Sequence, residues 1–252
     1  MFTRFGVQLY TIREFMKTEA DIRTSFARLK SLGYDEVQTA GCAIPYADFG
    51  ALAAEAGLTV VGTHDSFDLM KNDPETAMAN HRALGTSNMG IGGMPGYYFE
   101  SLEHLREFIA DANRIADTIY PHGFKFTYHN HSREFQKFGG KTILEILAEE
   151  LDPQKTSFVL DTYWVQHGGG DVRAWIERLA GRIDILHLKD MAVKGNDPYI
   201  TEVGNGNLNW DGILASAESI GVKYYTVEQD TCPGDPFESL AASASFLARF
   251  KK

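Results

Sequence analysis

Apolar runs of strand length recur eight times along the chain, about 30 residues apart, and a stretch with helical spacing follows each one. The strands are expected over 5–10, 36–39, 58–64, 87–91, the stretch from 124 that ends in His129, Asn130 and His131, and then 157–160, 183–188 and 224–227. Between them, Thr18 precedes Ile22, Phe26, Leu29 and Leu32 at helical spacing, with Gly33 as a stop. Further helices are expected over 46–56, from Pro74, and over 101–119, 142–150, 171–179, 213–220 and 237–250. Pro74 suits a first helical turn, where its missing N–H costs nothing. Regular alternation of strand and helix, with no linker-like change of composition, predicts a parallel sheet closed on itself. The expected architecture is one (β/α)8 TIM barrel occupying 1–252 as a single α/β domain.

Bulk properties narrow the partners. At 252 residues the length suits one such barrel, and the net charge of −10 weighs against a nucleic-acid enzyme, which needs a basic face. A small neutral sugar is compatible with that charge. The only cysteines, Cys42 and Cys232, follow no zinc or redox spacing and read as free thiols of a reducing cytoplasm. The amino terminus lacks the pattern of a signal peptide, and no apolar run approaches the roughly 20 residues that span a bilayer. A cytoplasmic protein without membrane partners is expected.

Four runs end in a residue able to bind a metal. Phe124, Phe126 and Tyr128 alternate with Lys125, Thr127 and His129, the period of a strand with two unlike faces. Asp161, His187 and Glu228 close the strands that follow. In a parallel barrel the carboxyl ends of the strands share one rim, so these side chains are expected to converge. A lone histidine at a strand end is more often structural than ligating, but four such residues at equivalent ends favour a ligand set. Two imidazoles and two carboxylates suit one divalent manganese, cobalt, zinc, iron or magnesium ion.

Tyr128-His-Asn-His-Ser-Arg-Glu-Phe135, Leu160-Asp-Thr-Tyr-Trp164, His187-Leu-Lys-Asp190, Glu202 to Trp210 and Val227-Glu-Gln-Asp230 resemble the sugar phosphate isomerase/epimerase family of xylose isomerase-like barrels, as does the opening Gly6-Val-Gln-Leu-Tyr-Thr-Ile-Arg13. That group includes inosose dehydratases, ketose 3-epimerases and 3-keto-glycoside lyases. The resemblance covers nearly the whole chain. It implies a divalent metal on Asp161, His187 and Glu228, and a homo-oligomer. The family's fourth ligand is usually a strand-five glutamate, and His129 stands there instead. In the epimerases and isomerases the two metal-bound glutamates also shuttle a proton across an enediolate, a symmetric device this chain departs from. Glu228 remains as a base, with Glu134 or Glu202 as further carboxylates.

The implied activity is that of a metal-dependent isomerase or epimerase acting on a small keto sugar through an enolate. A lyase or dehydratase of a 3-keto-glycoside or inosose is the nearest alternative, and a non-catalytic carbohydrate-binding barrel is the alternative from another class. Glu228, Glu134 and Lys189 are the catalytic candidates, Lys189 as an oxyanion partner or simply a partner of Asp190. His64, His131, Trp164 and Glu202 are the substrate-binding candidates. Tyr10, Phe67, Tyr163 and Trp210 could add to an apolar floor, although packing is the simpler role for Trp210.

Overall fold

The computed structural model describes residues 2–252. Its centre is a sheet of eight parallel strands: β1 Gly6–Gln8, β2 Glu36–Thr39, β3 Thr59–Thr63, β4 Asn88–Ile91, β5 Lys125–His129, β6 Thr156–Asp161, β7 Ile183–Leu188 and β8 Tyr224–Val227. Successive strands lie side by side, and β1 pairs with β8 through Gly6 opposite Thr226 and Val7 opposite Val227. The ladder is open only between β3 and β4. Side chains span that seam: Asn88 donates to the Val61 carbonyl at 2.8 Å, and Gly90 N–H donates to Thr63 Oγ1 at 3.1 Å. Just beyond it, Asp65 N–H donates to the Gly90 carbonyl at 2.8 Å. The barrel is therefore nearly closed. Residue 90 must be glycine for this approach, because a Cβ there would lie 2.2 Å from the Thr63 carbonyl oxygen.

The surrounding helices begin where local chemistry starts them. In α1 (Glu19–Ser31), Thr18 Oγ1 accepts from the Asp21 amide while Asp21 accepts from the Thr18 amide. Helices α2 (Tyr46–Glu55), α3 (Phe67–Asn72) and α4 (Pro74–Leu84, with Pro74 in its first turn) follow. Ser101 caps α5 (Leu102–Ile119), and Thr142 with Glu145 repeats the reciprocal cap at α6 (Ile143–Glu150). The remaining helices are α7 (Thr162–His167), α8 (Val172–Arg178), α9 (Trp210–Ser219) and α10 (Pro236–Leu247). None is long and apolar enough to cross a membrane among the described residues.

Strand alternation divides the interior in two. Phe126, Tyr128, Phe158 and Leu160 face outward into the large core shared with the helices. Inside the barrel, Val61, Val159 and Ile185 form a small separate plug. At the carboxyl end, the interior above it is polar.

The structure adds elements that the pattern did not announce. Strand β1 stops at Gln8, and a 3-10 turn runs over Leu9–Phe15, because the Gln8 side chain accepts from the Tyr10 amide and turns the chain out of the strand. A hairpin of Asp190–Lys194 against Asp197–Thr201 extends β7 beyond the barrel. Helix α9 starts at Trp210, not Ile213, because Asn209 caps it. Helices α3 and α7 are single short segments without a full apolar period, which hid them from the pattern.

Glu36 enters the barrel at its amino end, where one carboxylate oxygen is buried without a partner and Arg4 stays 3.7 Å from the other. Burial pushes its carboxyl up from the ordinary glutamate range to about 7. Because the folded chain holds this proton more tightly than the unfolded one, the stabilisation is full below the unfolded value and lost as pH rises through about 7. Denaturant unfolding followed across that window should show Glu36→Gln gaining on wild type by roughly 2 kcal/mol toward alkaline pH, allowing for partial exposure. Parallel pH profiles for the two proteins would contradict it.

Candidate metal centre

Four strand ends deliver the expected side chains to one place. One ligand atom from each of His129, Asp161, His187 and Glu228 lies within 4.8 Å of the others, and all four residues are buried. His129 Nε2 is 3.4 Å from Asp161 Oδ2 and 4.0 Å from Glu228 Oε2. His187 Nδ1 is 3.0 Å from Glu228 Oε2 and 3.6 Å from Asp161 Oδ2.

Neighbouring groups aim these atoms. His129 Nδ1 is 3.0 Å from the Gly92 carbonyl, which can only accept, so that nitrogen carries the hydrogen and Nε2 faces the cluster bare. His187 Nε2 lies 2.6 Å from Gln38 Oε1, which leaves Nδ1 toward the carboxylates. Asp161 caps α7: its Oδ1 accepts from the Trp164 amide at 2.9 Å, and its Oδ2 turns to the imidazoles. The Asn130 side chain accepts from the Asp161 amide at 2.9 Å and fixes the strand end. This arrangement, two inward imidazole nitrogens with two carboxylate oxygens, fits a divalent cation, which would take the place of the hydrogen that His187 Nδ1 otherwise shares with Glu228.

The electrostatics point the same way. Burial opposes ionisation of Asp161 and Glu228, but Lys189 and the imidazoles hold both carboxyls below the ordinary carboxylate range. Burial would likewise strip His187 of a proton, yet Glu228 and Asp161 carry it up to about 9. The position between the carboxylates thus attracts positive charge. Lys189 is fully buried, 3.1 Å from Glu228 Oε2, 3.5 Å from Asp161 Oδ2 and 2.7 Å from Asp230 Oδ1. These carboxylates hold its ammonium well above the usual lysine value against the effect of burial.

A cavity of about 360 Å³ opens onto this centre, at the small end for ligand pockets, and His64, His131, Lys189, Glu228, Asp230 and Tyr10 are among its walls. Burial and the His129 ring lower the His131 imidazole to about 3, and burial holds His64 well below its usual value. Trp164 stands beside the cavity, its ring 5.3 Å from that of His131 and 5.0 Å from Lys189 Nζ. A groove of about 490 Å³ between Phe135 and Trp175 is larger but lies away from the ligand cluster.

Two expected carboxylates point elsewhere. Glu134 accepts from the Tyr128 hydroxyl at 2.6 Å and from the His131 amide at 2.9 Å, so both its oxygens serve the loop after β5. Glu202 accepts from Ser239 at 2.7 Å and Thr201 at 2.9 Å, and although burial opposes it these bonds bring its carboxyl down to about 2. Neither lines the cavity. Asp190 does not pair with Lys189: it accepts from the Gly204, Gly206 and Leu208 amides and from Trp210 Nε1, pinning the glycine-rich loop. Trp210 and Phe67 are packing residues, each buried, whereas Tyr10 reaches the cavity wall. The residues that sequence reasoning passed over are Gln8, Gln38, Gly92 and Asp230. Gln8 and Gln38 were detectable as polar residues near the carboxyl ends of β1 and β2, and they stand opposite each other on these adjacent strands.

Comparisons with known proteins agree with the barrel fold. A family model described as a xylose isomerase-like TIM barrel matches residues 26–250. An inosose dehydratase of Geobacillus thermodenitrificans (strain NG80-2) is 27% identical over 155 residues, which is 54% of this chain and 51% of that protein, so the match spans about half the length of that curated relative. The crystal structure of a sugar phosphate isomerase/epimerase from Parabacteroides distasonis ATCC 8503 superposes with a TM-score of 0.82 at 25% identity, covering 100% of this chain and 96% of that one. A probable 3-DHS dehydratase of Bacillus anthracis shares the fold at 14% identity, with a TM-score of 0.76 over 97% of this chain and 98% of the other.

Removing both carboxylates should empty the centre. Elemental mass spectrometry is expected to find near one divalent ion per wild-type chain and a loss of at least tenfold in a folded Asp161→Asn, Glu228→Gln double variant. Equal metal in both proteins would refute the ligand set.

Proposed function

The chain belongs to the xylose isomerase-like TIM barrel family, and from that premise we propose that it is a metal-dependent enzyme of small keto sugars or keto cyclitols. In this reading it removes the proton beside the carbonyl and then expels an oxygen from the next carbon, as a dehydratase or lyase. The observation that carries elimination over epimerisation is His129. Symmetric proton return needs a carboxylate on each side of the substrate, and strand β5 offers an imidazole whose lone pair is turned to the ion site. Glu134 and Glu202, the other carboxylates considered for that task, are engaged elsewhere. Elimination asks less: one base, one cationic partner for the oxygen that gains charge, and a wall of hydrogen bonds.

A bound divalent ion would acidify the carbon-bound proton by polarising the carbonyl. Glu228, held ionised with Oε2 near Lys189 and His187, is the carboxylate at the cavity floor placed to take that proton. Lys189 presents a fixed positive charge to the enolate oxygen from a site that excludes water. Asp230 shares Lys189 and lines the cavity wall, where it holds the ammonium in place. His131 and Trp164 bound the ring of the substrate. The partial match to an inosose dehydratase supports this outcome. The isomerase or epimerase reading keeps support from the solved isomerase/epimerase structure, and differs only in where the proton returns.

The deciding experiment incubates the metal-loaded protein with a panel of keto sugars, 3-keto-glycosides and inososes in deuterium oxide. Elimination predicts products lacking water or an aglycone, and Glu228→Gln should lower their rate by about 10² to 10⁴-fold. Products of unchanged formula carrying deuterium would establish the epimerase reading instead. Binding without exchange or turnover would refute both.

A further inference from the structure

His64 closes one side of the cavity, its ring 4.7 Å from that of His129 and 5.5 Å from that of His187. Its hydrogen-bonding is fixed from behind. Gln8 Oε1 accepts from the Tyr10 amide at 3.2 Å, and an amide N–H can only donate, so the orientation of the Gln8 side chain is determined. Gln8 Nε2 is then the atom 3.2 Å from His64 Nδ1. An NH2 group against Nδ1 requires a lone pair there, which puts the ring hydrogen on Nε2. That Nε2 is buried and has no partner in the protein. Gly92 keeps the ring seated, since a Cβ at that position would lie 3.2 Å from His64 Nδ1.

The three adjacent imidazoles therefore divide into two kinds. His129 and His187 have their outer nitrogens on acceptors and turn their other nitrogen to the ion site, whereas His64, a wall residue of the cavity, has its outer nitrogen on a donor and carries its hydrogen on the unpartnered Nε2. We infer that Gln8 locks His64 as a neutral hydrogen-bond donor, neither ligand nor base, that seats an acceptor oxygen of the substrate, the carbonyl oxygen that becomes an enolate. Gln8 is the positioning residue and His64 the one that touches substrate. The site then selects an oxygen with free lone pairs at that point and rejects an ammonium or amide N–H. This rests on the enolate-forming reading for its substrate, but the lock itself is visible without one.

Nitrogen NMR on histidine-labelled, zinc-loaded protein tests it, with the His64 signals assigned by their absence in His64→Gln. Wild type is expected to carry the hydrogen on Nε2, and Gln8→Glu, which presents an acceptor, to move it to Nδ1 with zinc content unchanged. On the keto substrate, Gln8→Glu and His64→Phe should each lose about 10- to 100-fold in kcat/KM, the range of a hydrogen bond to a charged oxygen. His64→Gln, which restores an N–H donor, should stay within about tenfold of wild type. A hydrogen on Nδ1 in wild type overturns the lock whatever the reaction is. A Gln8→Glu protein with the hydrogen moved and kcat/KM intact overturns the role in substrate seating. Absence of any deuterium exchange by wild type would strike the enolate reading, and the substrate role with it, while the lock is still judged by the NMR alone.

Discussion

Two carboxylates buried at the carboxyl ends of β6 and β8, with β7 between them, form the constraint on which this structure turns. Asp161 and Glu228 are each shut away from water, where an unpaired charge costs several kcal/mol even after relaxation. Lys189 answers one of them, and the imidazoles of His129 and His187 close round the remainder. The barrel makes this affordable by supplying rigid positions: the α7 amino terminus takes one oxygen of Asp161, the Gly92 carbonyl orients His129, and Gln38 orients His187. A divalent ion among these atoms would complete the balance of charge.

Much of this was legible in the residues because a parallel barrel turns sequence position into spatial position. A residue closing one strand is near the residue closing the next, so His129, Asp161, His187 and Glu228 could be placed together without coordinates. Beyond the strand ends that logic weakens. Lys189 and Asp190 are consecutive, yet one turns to the metal centre and the other to a glycine-rich loop, since adjacent residues of an extended chain face opposite ways. Glu134 and Glu202 sit in connecting segments, where a carboxylate goes to whichever N–H or hydroxyl the tertiary structure brings near, and spacing carries no sign of that choice. Gln8 and Gln38 escaped notice for another reason: an amide has no charge or metal affinity, and its work here is to decide where other groups keep their hydrogens.

Histidine at the end of β5 alters the chemistry open to the site without dissolving it. A neutral imidazole in place of a carboxylate would leave a bound ion with less negative charge around it, so that it would withdraw electrons from a carbonyl more strongly. The same exchange removes the group that would carry a proton on the far side of the substrate. A centre that is stronger as an acid and poorer as a two-sided shuttle is better matched to elimination than to inversion. Lys189, with three carboxylates around it, fits that division of labour: it is fixed, charged and dry.

The most direct test of this account is a crystal grown with manganese or zinc and measured at the absorption edge of that metal. The account predicts one strong anomalous peak bonded to His129 Nε2, Asp161 Oδ2, His187 Nδ1 and Glu228 Oε2, with Lys189 outside the coordination sphere. A peak that leaves out His129, or takes His64 in its place, would contradict it.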